Sequence, residues 1–339
     1  MKGTDRWLEG LVEREARRDG TQRRVRGTVG LPVMHEYPSG EQWVIAHGGH
    51  EVTVVEVGGG LRAYRAGGVE ILAGYGVDEQ CRAGRGQVLL PWPNRLRDGR
   101  YVFDGKEYQL PLTEPTRGHA SHGLVRWSPW SVVEQAPDEI TVGYRLHPQP
   151  GWPGTLDVTV TYALSDAGLT VLTTATNIGD ERVPFGCGAH PYIAIGDTPL
   201  GDVVLTVPAG EQILVDDRLI PTGTAPASEG GKDFREPRAL GESTLDTAFT
   251  GVERGADGRW VAHLGGLPGR PEVSLWADSA YEWLQVFTGQ GADQGAEGTR
   301  GIAIEPMTCP ADAFNSGAGL IVLEPGDQWS GTWGLTVHE

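Results

Sequence analysis

The sequence predicts an all-β protein, a large antiparallel β-sandwich, and three observations carry that reading. Short runs such as Glu51-Val-Thr-Val-Val-Glu-Val57, Ile140-Thr-Val-Gly-Tyr-Arg-Leu146 and Leu156-Asp-Val-Thr-Val-Thr-Tyr162 alternate apolar and polar residues, the pattern of strands with one buried face. Tight turns join some of them: Tyr101-Val-Phe103 and Lys106-Glu-Tyr108 flank Asp104-Gly105, the residue pair of a two-residue type I′ hairpin, and Ser165-Asp-Ala-Gly168 links two further alternating runs. Later runs near residues 203–207, 273–276, 283–287, 301–304, 320–323 and 332–337 follow without an intervening helical pattern of about 10–15 residues, which argues against a parallel α/β sheet.

Taken in chain order, residues 1–26 come first, with eight Lys or Arg against five acids, opposite in sign to the whole. Trp7, Leu8, Leu11 and Val12 follow a three-and-four spacing among good helix formers. That spacing predicts a short amphipathic helix around residues 5–18, inside an N-terminal appendage of residues 1–30. Strand patterning starts near Gln42, and residues 31–339 read as one sandwich domain. The stretch Pro221–Glu242, rich in Gly, Pro, Thr and charge, reads as a long loop rather than a linker, because strands of the same kind resume after it.

Charge narrows the partners. The 339 residues contain 28 Lys plus Arg and 45 Asp plus Glu, a formal net charge of −17. Phosphate backbones and anionic lipid surfaces are repelled by such a balance, so neither nucleic acid nor a membrane surface is an expected partner. A neutral or cationic small-molecule ligand is. The N-terminus lacks the apolar core and small-residue cleavage site of a secretory signal, so the chain reads as cytoplasmic. Cys81, Cys187 and Cys309 are odd in number and far apart, which suits neither a disulfide framework nor a cysteine zinc site.

Four segments hold side chains suited to chemistry. Leu90-Pro-Trp-Pro-Asn-Arg-Leu-Arg-Asp98 sets prolines around a tryptophan and then offers Asn94 and Arg95 as hydroxyl-holding donors, or else forms a strand-end turn with a surface arginine. In Arg117-Gly-His-Ala-Ser-His-Gly-Leu-Val-Arg-Trp127, His119 and His122 lie three apart without an evident third metal ligand. His122 is the better functional candidate, since Gly123 allows close approach of backbone or ligand. Gly186-Cys-Gly-Ala-His-Pro-Tyr192 holds His190 extended before a proline, and histidine titrates near neutrality, as a general acid must; a packed strand-end histidine is the plain alternative. In Gly301-Ile-Ala-Ile-Glu-Pro-Met307, inward Ile302 and Ile304 put Ala303 and Glu305 on the opposite face, making Glu305 a general-base candidate or a surface strand-end residue. Asp246 and Gln285 are individually weaker. Trp92, Trp127, Trp130, Trp152, Trp276 and Trp283 sit near polar loop residues and could stack on a sugar or pack a core.

In this order, Pro91-Trp-Pro-Asn-Arg95, the Asp98-Gly-Arg-Tyr and Asp104-Gly hairpin, His122-Gly-Leu-Val-Arg-Trp127, Gly188-Ala-His-Pro-Tyr192, Leu245-Asp246, Leu284-Gln285 and Ile304-Glu-Pro306 resemble the aldose 1-epimerase (galactose mutarotase) family. The resemblance runs from about Ser39 to the C-terminus. It implies a mutarotase-type sandwich with a sugar in an open cleft and no metal or organic cofactor; separately, a monomer or homodimer is expected. It places the general base on Glu305, the general acid on His190, a second active-site histidine on His122, and sugar-holding roles on Asn94, Arg95, Asp246 and Gln285. The segment Met307–Asn315 departs from the best-known sugar-specific members.

Interconverting anomers requires taking the proton from the C1 hydroxyl while protonating the ring oxygen, a task for one base and one acid. A glycosidase would need two carboxylates instead. Across one sugar, carboxylate and imidazolium are expected to favour each other's charged forms, widening the pH window in which both persist. Two alternatives share the fold: a hexose-6-phosphate 1-epimerase, for which Arg95, Arg97, Arg100, Arg117 and Arg126 are candidate phosphate contacts, and a non-catalytic sugar-binding module.

Overall fold

The computed structural model describes residues 37–289 and 300–338. The expected N-terminal appendage and its helix over residues 5–18 lie outside the described residues.

Alternation becomes structure most plainly in the strand Leu156–Ser165, where every second residue from Leu156 to Leu164 is buried. The hydrocarbon side chains leave water on one face while Thr159, Thr161 and Asp157 stay on the other. Its partner Gly168–Asn177 pairs in unbroken register from Leu156↔Asn177 to Ser165↔Gly168, so the turn expected at residues 165–168 closes the pair. The hairpin expected at Asp104-Gly105 also forms, with Phe103 opposite Lys106 and both turn residues at positive φ, 50° and 73°. A type I′ turn demands that geometry.

Two large antiparallel sheets result. The nine-stranded sheet runs in the order 131–135, 139–146, 156–165, 168–177, 328–338, 272–277, 260–265, 204–206 and 238–239, so the C-terminal strand Gln328–His338 lies between two earlier ones. The eight-stranded sheet contains Pro221–Pro226, Ala209–Val215, Asp246–Val252, Trp283–Phe287, Gly301–Met307, Gly188–Ala189 and Val88–Leu89 in that order, with Tyr192–Ala194 also paired to Gly301–Met307. One apolar cluster joins the sheets: Val158, Val160 and Tyr162 from the first meet Phe249, Leu284, Val286, Ile302 and Ile304 from the second. That is a sandwich core.

One sequence expectation is corrected. Pro221–Glu242 is not a continuous loop, because Pro221–Pro226 pairs with Ala209–Val215 and Arg238–Ala239 pairs with Val204–Thr206 at a sheet edge. Its Gly and Pro content hid the strands; an edge strand needs only one hydrogen-bonded side and tolerates proline. Among the described residues the single α-helix is the four-residue Ala313–Ser316, and no helix is long and apolar enough to cross a membrane.

Candidate active site

Three neighbouring strands of the eight-stranded sheet bring distant residues together. Gln285 and Glu305 are direct cross-strand partners, so their side chains stand side by side on one face. Asp246 opens the next strand, opposite Phe287, and its Oδ1 accepts a hydrogen bond of 2.6 Å from Gln285 Nε2. The alternation expected along Gly301–Met307 holds: Ile302 and Ile304 enter the main core, while Ala303 packs on the other side with Tyr192. Glu305 shares that other side.

His190 reaches the same place by register. The flanking short strands pair Gly188 with Met307 and Tyr192 with Ala303, and the same register continued between them sets His190 opposite Glu305. Its Nε2 lies 3.4 Å from Glu305 Oε1, with both side chains buried. Tyr192 stacks flat on the His190 ring, 4.9 Å between centroids and 5° between planes, and the Arg85 guanidinium lies 4.5 Å from the Tyr192 centroid. Gly84 closes the other approach, since a Cβ there would come within 2.8 Å of His190 Cδ2. The imidazole has little room to rotate.

Two loops supply the rest. Asn94 and His122 both occupy the left-handed region, at φ 55° and 62°, a costly conformation held here by reciprocal bonds. The His122 N–H donates to the Asn94 carbonyl at 2.8 Å, and the Asn94 N–H donates to His122 Nδ1 at 3.2 Å. Because Nδ1 accepts, the neutral ring carries its proton on Nε2. The His122 and His190 rings meet edge to face at 5.5 Å. Asn94 Nδ2 donates to Gln285 Oε1 at 3.4 Å, tying loop to sheet, and Arg95 Nε donates to Glu114 Oε2 at 2.8 Å. The close approach permitted by Gly123 is to backbone: a Cβ there would collide with the Leu90 carbonyl at 1.9 Å.

Asn94, Arg95, His122, His190, Asp246, Gln285 and Glu305, the seven residues picked from the sequence, all line one cleft of about 380 Å³. Without a ligand, the electrostatics of the cleft favour the neutral forms of the pair. Burial, reinforced by the Asp246 charge and opposed by Arg95, holds Glu305 well above the usual carboxylate range. Burial, with Arg126 and Arg85 adding repulsion, pulls His190 down to about 3. Desolvation outweighs the attraction of the pair, so without a ligand the shared proton rests on the carboxyl group. His122 is likewise lowered, by burial first and then by His190, Arg126 and Arg95. Two buried atoms, His190 Nδ1 and Glu305 Oε2, have no hydrogen-bond partner.

The model of the family Aldose 1-epimerase matches residues 41–336. This chain belongs to the aldose 1-epimerase family. It is 32% identical over 297 residues to the uncharacterised protein YihR of Escherichia coli, covering 87% of this chain and 93% of that one. The galactose mutarotase of Mus musculus is 31% identical over 178 residues, half of each chain. Among solved structures, a GalM/aldose epimerase homologue from C. elegans superposes with a TM-score of 0.77 at 22% identity, covering 88% of this chain and 99% of that one. The sandwich is thus of the galactose mutarotase type.

In and behind this epimerase-family cleft, several residues escaped the sequence reading. Glu114 holds Arg95 and, through its other oxygen, Arg117 Nη1 at 2.7 Å. Asp312 stands in the segment that departs from the familiar family form: its N–H donates to the Arg95 carbonyl at 2.6 Å, and its Oδ1 accepts from the Arg97 N–H at 2.9 Å. That segment therefore clamps the Asn94–Arg97 turn. Neither residue carries a periodic signal, and only the motif Gly188–Tyr192 pointed toward the Tyr192 stack. The tryptophans divide unevenly. Trp92, Trp130, Trp152 and Trp276 are buried, Trp283 packs against Met307, and Trp127 alone of the six lines the cleft, 52% exposed. His119 is structural, its Nδ1 accepting from the Asp98 N–H and its Nε2 meeting the Arg218 carbonyl. Among the described residues no three His, Cys, Asp or Glu side chains gather as a metal-holding group.

Proposed function

We propose that the protein interconverts the α and β anomers of a free aldose, with Glu305 as base, His190 as acid and His122 donating from Nε2 to a sugar oxygen. The observation that carries this reading is the His190–Glu305 pair, 3.4 Å apart and buried, with an unused polar atom on each partner in the cleft. A bound sugar offers hydroxyl donors to the carboxylate and so shifts the shared proton to His190. Glu305 then removes the C1 hydroxyl proton while His190 protonates the ring oxygen; the C1–O5 bond breaks and C1 becomes an aldehyde. The pair is now carboxyl and neutral imidazole, the form that burial favours, so the ring-opened state is matched by its surroundings. Rotation about C1–C2 exposes the other carbonyl face, and the two transfers run backward to close the ring and restore the catalyst.

Asn94, Arg95, Asp246 and Gln285 are positioned to hold hydroxyls, each kept in place by another: Gln285 by Asp246 and Asn94, Arg95 by Glu114. A phosphate dianion would call for more than one free cation; of the candidate arginines that line the cleft, Arg95 and Arg117 share Glu114 and only Arg126 has no carboxylate partner among the described residues, which favours an unphosphorylated sugar. A pure sugar-binding module has no use for a desolvated acid and base in contact. Polarimetry of freshly dissolved α-D-glucose and α-D-galactose tests the reading: rotation should settle faster with the protein than without it. Unchanged rates for every aldose tried would defeat it.

A further inference from the structure

The strand residues and the loop residues that line the cleft differ in charge. Asp246 and Glu305 stand on the strand side. The loop side, from Thr113 to Trp127, carries Arg117 and Arg126, and Arg95 reaches toward it. There Glu114 is the carboxylate for both Arg95 and Arg117, so one negative charge answers two guanidinium groups. Arg126 has no carboxylate partner among the described residues. Its donors go to neutral acceptors, the Ser121 carbonyl at 3.2 Å and Gln87 Oε1 at 3.4 Å, and its guanidinium lies 5.9 Å from the Trp127 ring centroid.

An arginine in that position is costly in two ways. It is partly withdrawn from water without a counter-charge, and burial lowers its pKa. Its charge also opposes protonation of both His190 and His122. Neutral sugar hydroxyls accept its hydrogen bonds but leave the charge uncompensated, whereas an anionic substituent would answer both costs. A planar guanidinium fork matches a carboxylate in two parallel hydrogen bonds. One guanidinium without a carboxylate partner among the described residues suits a single negative charge better than a dianion.

We propose that Arg126 receives a singly charged carboxylate substituent of the sugar, and that the cleft prefers acidic aldoses of the uronic type over neutral ones. This rests on the epimerase reading and names its substrate class. Calorimetric titration tests it without requiring turnover, using D-glucuronate, its neutral methyl ester, D-glucose and glucose 6-phosphate, at low and high salt. Wild type should bind glucuronate about tenfold or more tightly than the ester, the range of a charge-assisted bond, with the advantage shrinking in salt. The advantage should vanish in Arg126→Gln and survive in part in Arg126→Lys. Equal binding of acid and ester by wild type overturns the proposal even if Arg126→Gln does not fold, as does a preference that persists in a folded Arg126→Gln. Tighter binding of the phosphate than of glucuronate overturns the single-charge assignment. Polarimetry on the same compounds separates the two readings: acid preference without mutarotation of any compound sinks the epimerase reading alone, and mutarotation of glucose without acid preference in binding sinks this proposal alone.

Discussion

Among the described residues, two histidine–glutamate pairs are of nearly equal length and opposite character. His190 and Glu305 lie 3.4 Å apart in the cleft, 7% and 3% exposed. His263 and Glu272 lie 3.1 Å apart in the nine-stranded sheet, 30% and 53% exposed. In the second pair both imidazole nitrogens are engaged: Nε2 with Glu272, and Nδ1 with Ser274 Oγ, which also meets His338 Nε2 at 2.8 Å. In the first, His190 Nδ1 and Glu305 Oε2 are left over. Distance alone would rank the exposed pair first. Burial and unused hydrogen-bonding capacity reverse the ranking, because water screens an exposed pair, while a desolvated pair responds to whatever enters the cleft.

The sharpest way to break that contrast is to remove basicity from each pair. Glu305→Gln should cost about 10²–10⁴-fold in mutarotation rate while sugar still binds, since the amide keeps the shape and loses the proton acceptor. Activity within a few-fold of wild type would end the assignment of Glu305 as base. The histidines should separate next. His190→Asn is expected to lower kcat, whereas His122→Asn, by removing a donor to substrate, should move KM and kcat together. A silent His190→Asn beside a crippled His122→Asn would exchange their roles.

Stability against pH sharpens the comparison further. Glu305 is raised by burial, so between the unfolded value of about 4.3 and its higher folded value the native protein keeps a proton that the unfolded chain releases. Stability from this group is therefore full below about pH 4.3 and is lost as pH rises through the folded pKa. For His190 the sign is opposite. Depressed to about 3 against about 6.5 unfolded, it contributes stability above about pH 6.5 that is lost as pH falls. Melting temperatures should accordingly show Glu305→Gln gaining on wild type toward alkaline pH and His190→Asn gaining toward acid. Parallel curves for mutant and wild type would mean that neither group is shifted in the folded state. In activity, the pair carries one proton over a broad window, whichever partner holds it, so kcat/KM should be bell-shaped with macroscopic limits belonging to the pair.

The smallest effect belongs to the exposed pair. Glu272→Gln and His263→Gln should leave mutarotation unchanged and alter stability by no more than about 0.5 kcal/mol, the usual scale for exposed ion pairs. A large loss of activity from either would show that the nine-stranded sheet reaches the chemistry.

Much of this was legible before any coordinates. The Asp104-Gly105 turn, the alternation of Leu156–Tyr162 and the two-faced strand around Glu305 each follow from a local rule with a short range, and each appears where expected. What was misread had no such rule. The strand Pro221–Pro226 is an edge strand with a loop's composition; for the six singled-out tryptophans, by contrast, the sequence left stacking and core packing both open, and four of them are buried. Glu114 and Asp312 gave no warning, because clamping a distant arginine turn is a relation between loops, not a pattern within one.

The sequence by itself determined the strand alternation, the tight turns, the family and a set of seven side chains spread from Asn94 to Glu305, because turn chemistry, burial period and motif order are local properties. Only the tertiary structure decided that those seven share one cleft, since that depends on the register in which Gly188–Ala189 and Tyr192–Ala194 flank Gly301–Met307 and set His190 against Glu305. It also decided where the proton rests. Mutual attraction of acid and base can be argued from residue types, but the cost of taking both out of water depends on how deeply the fold buries them, and here that cost is the larger.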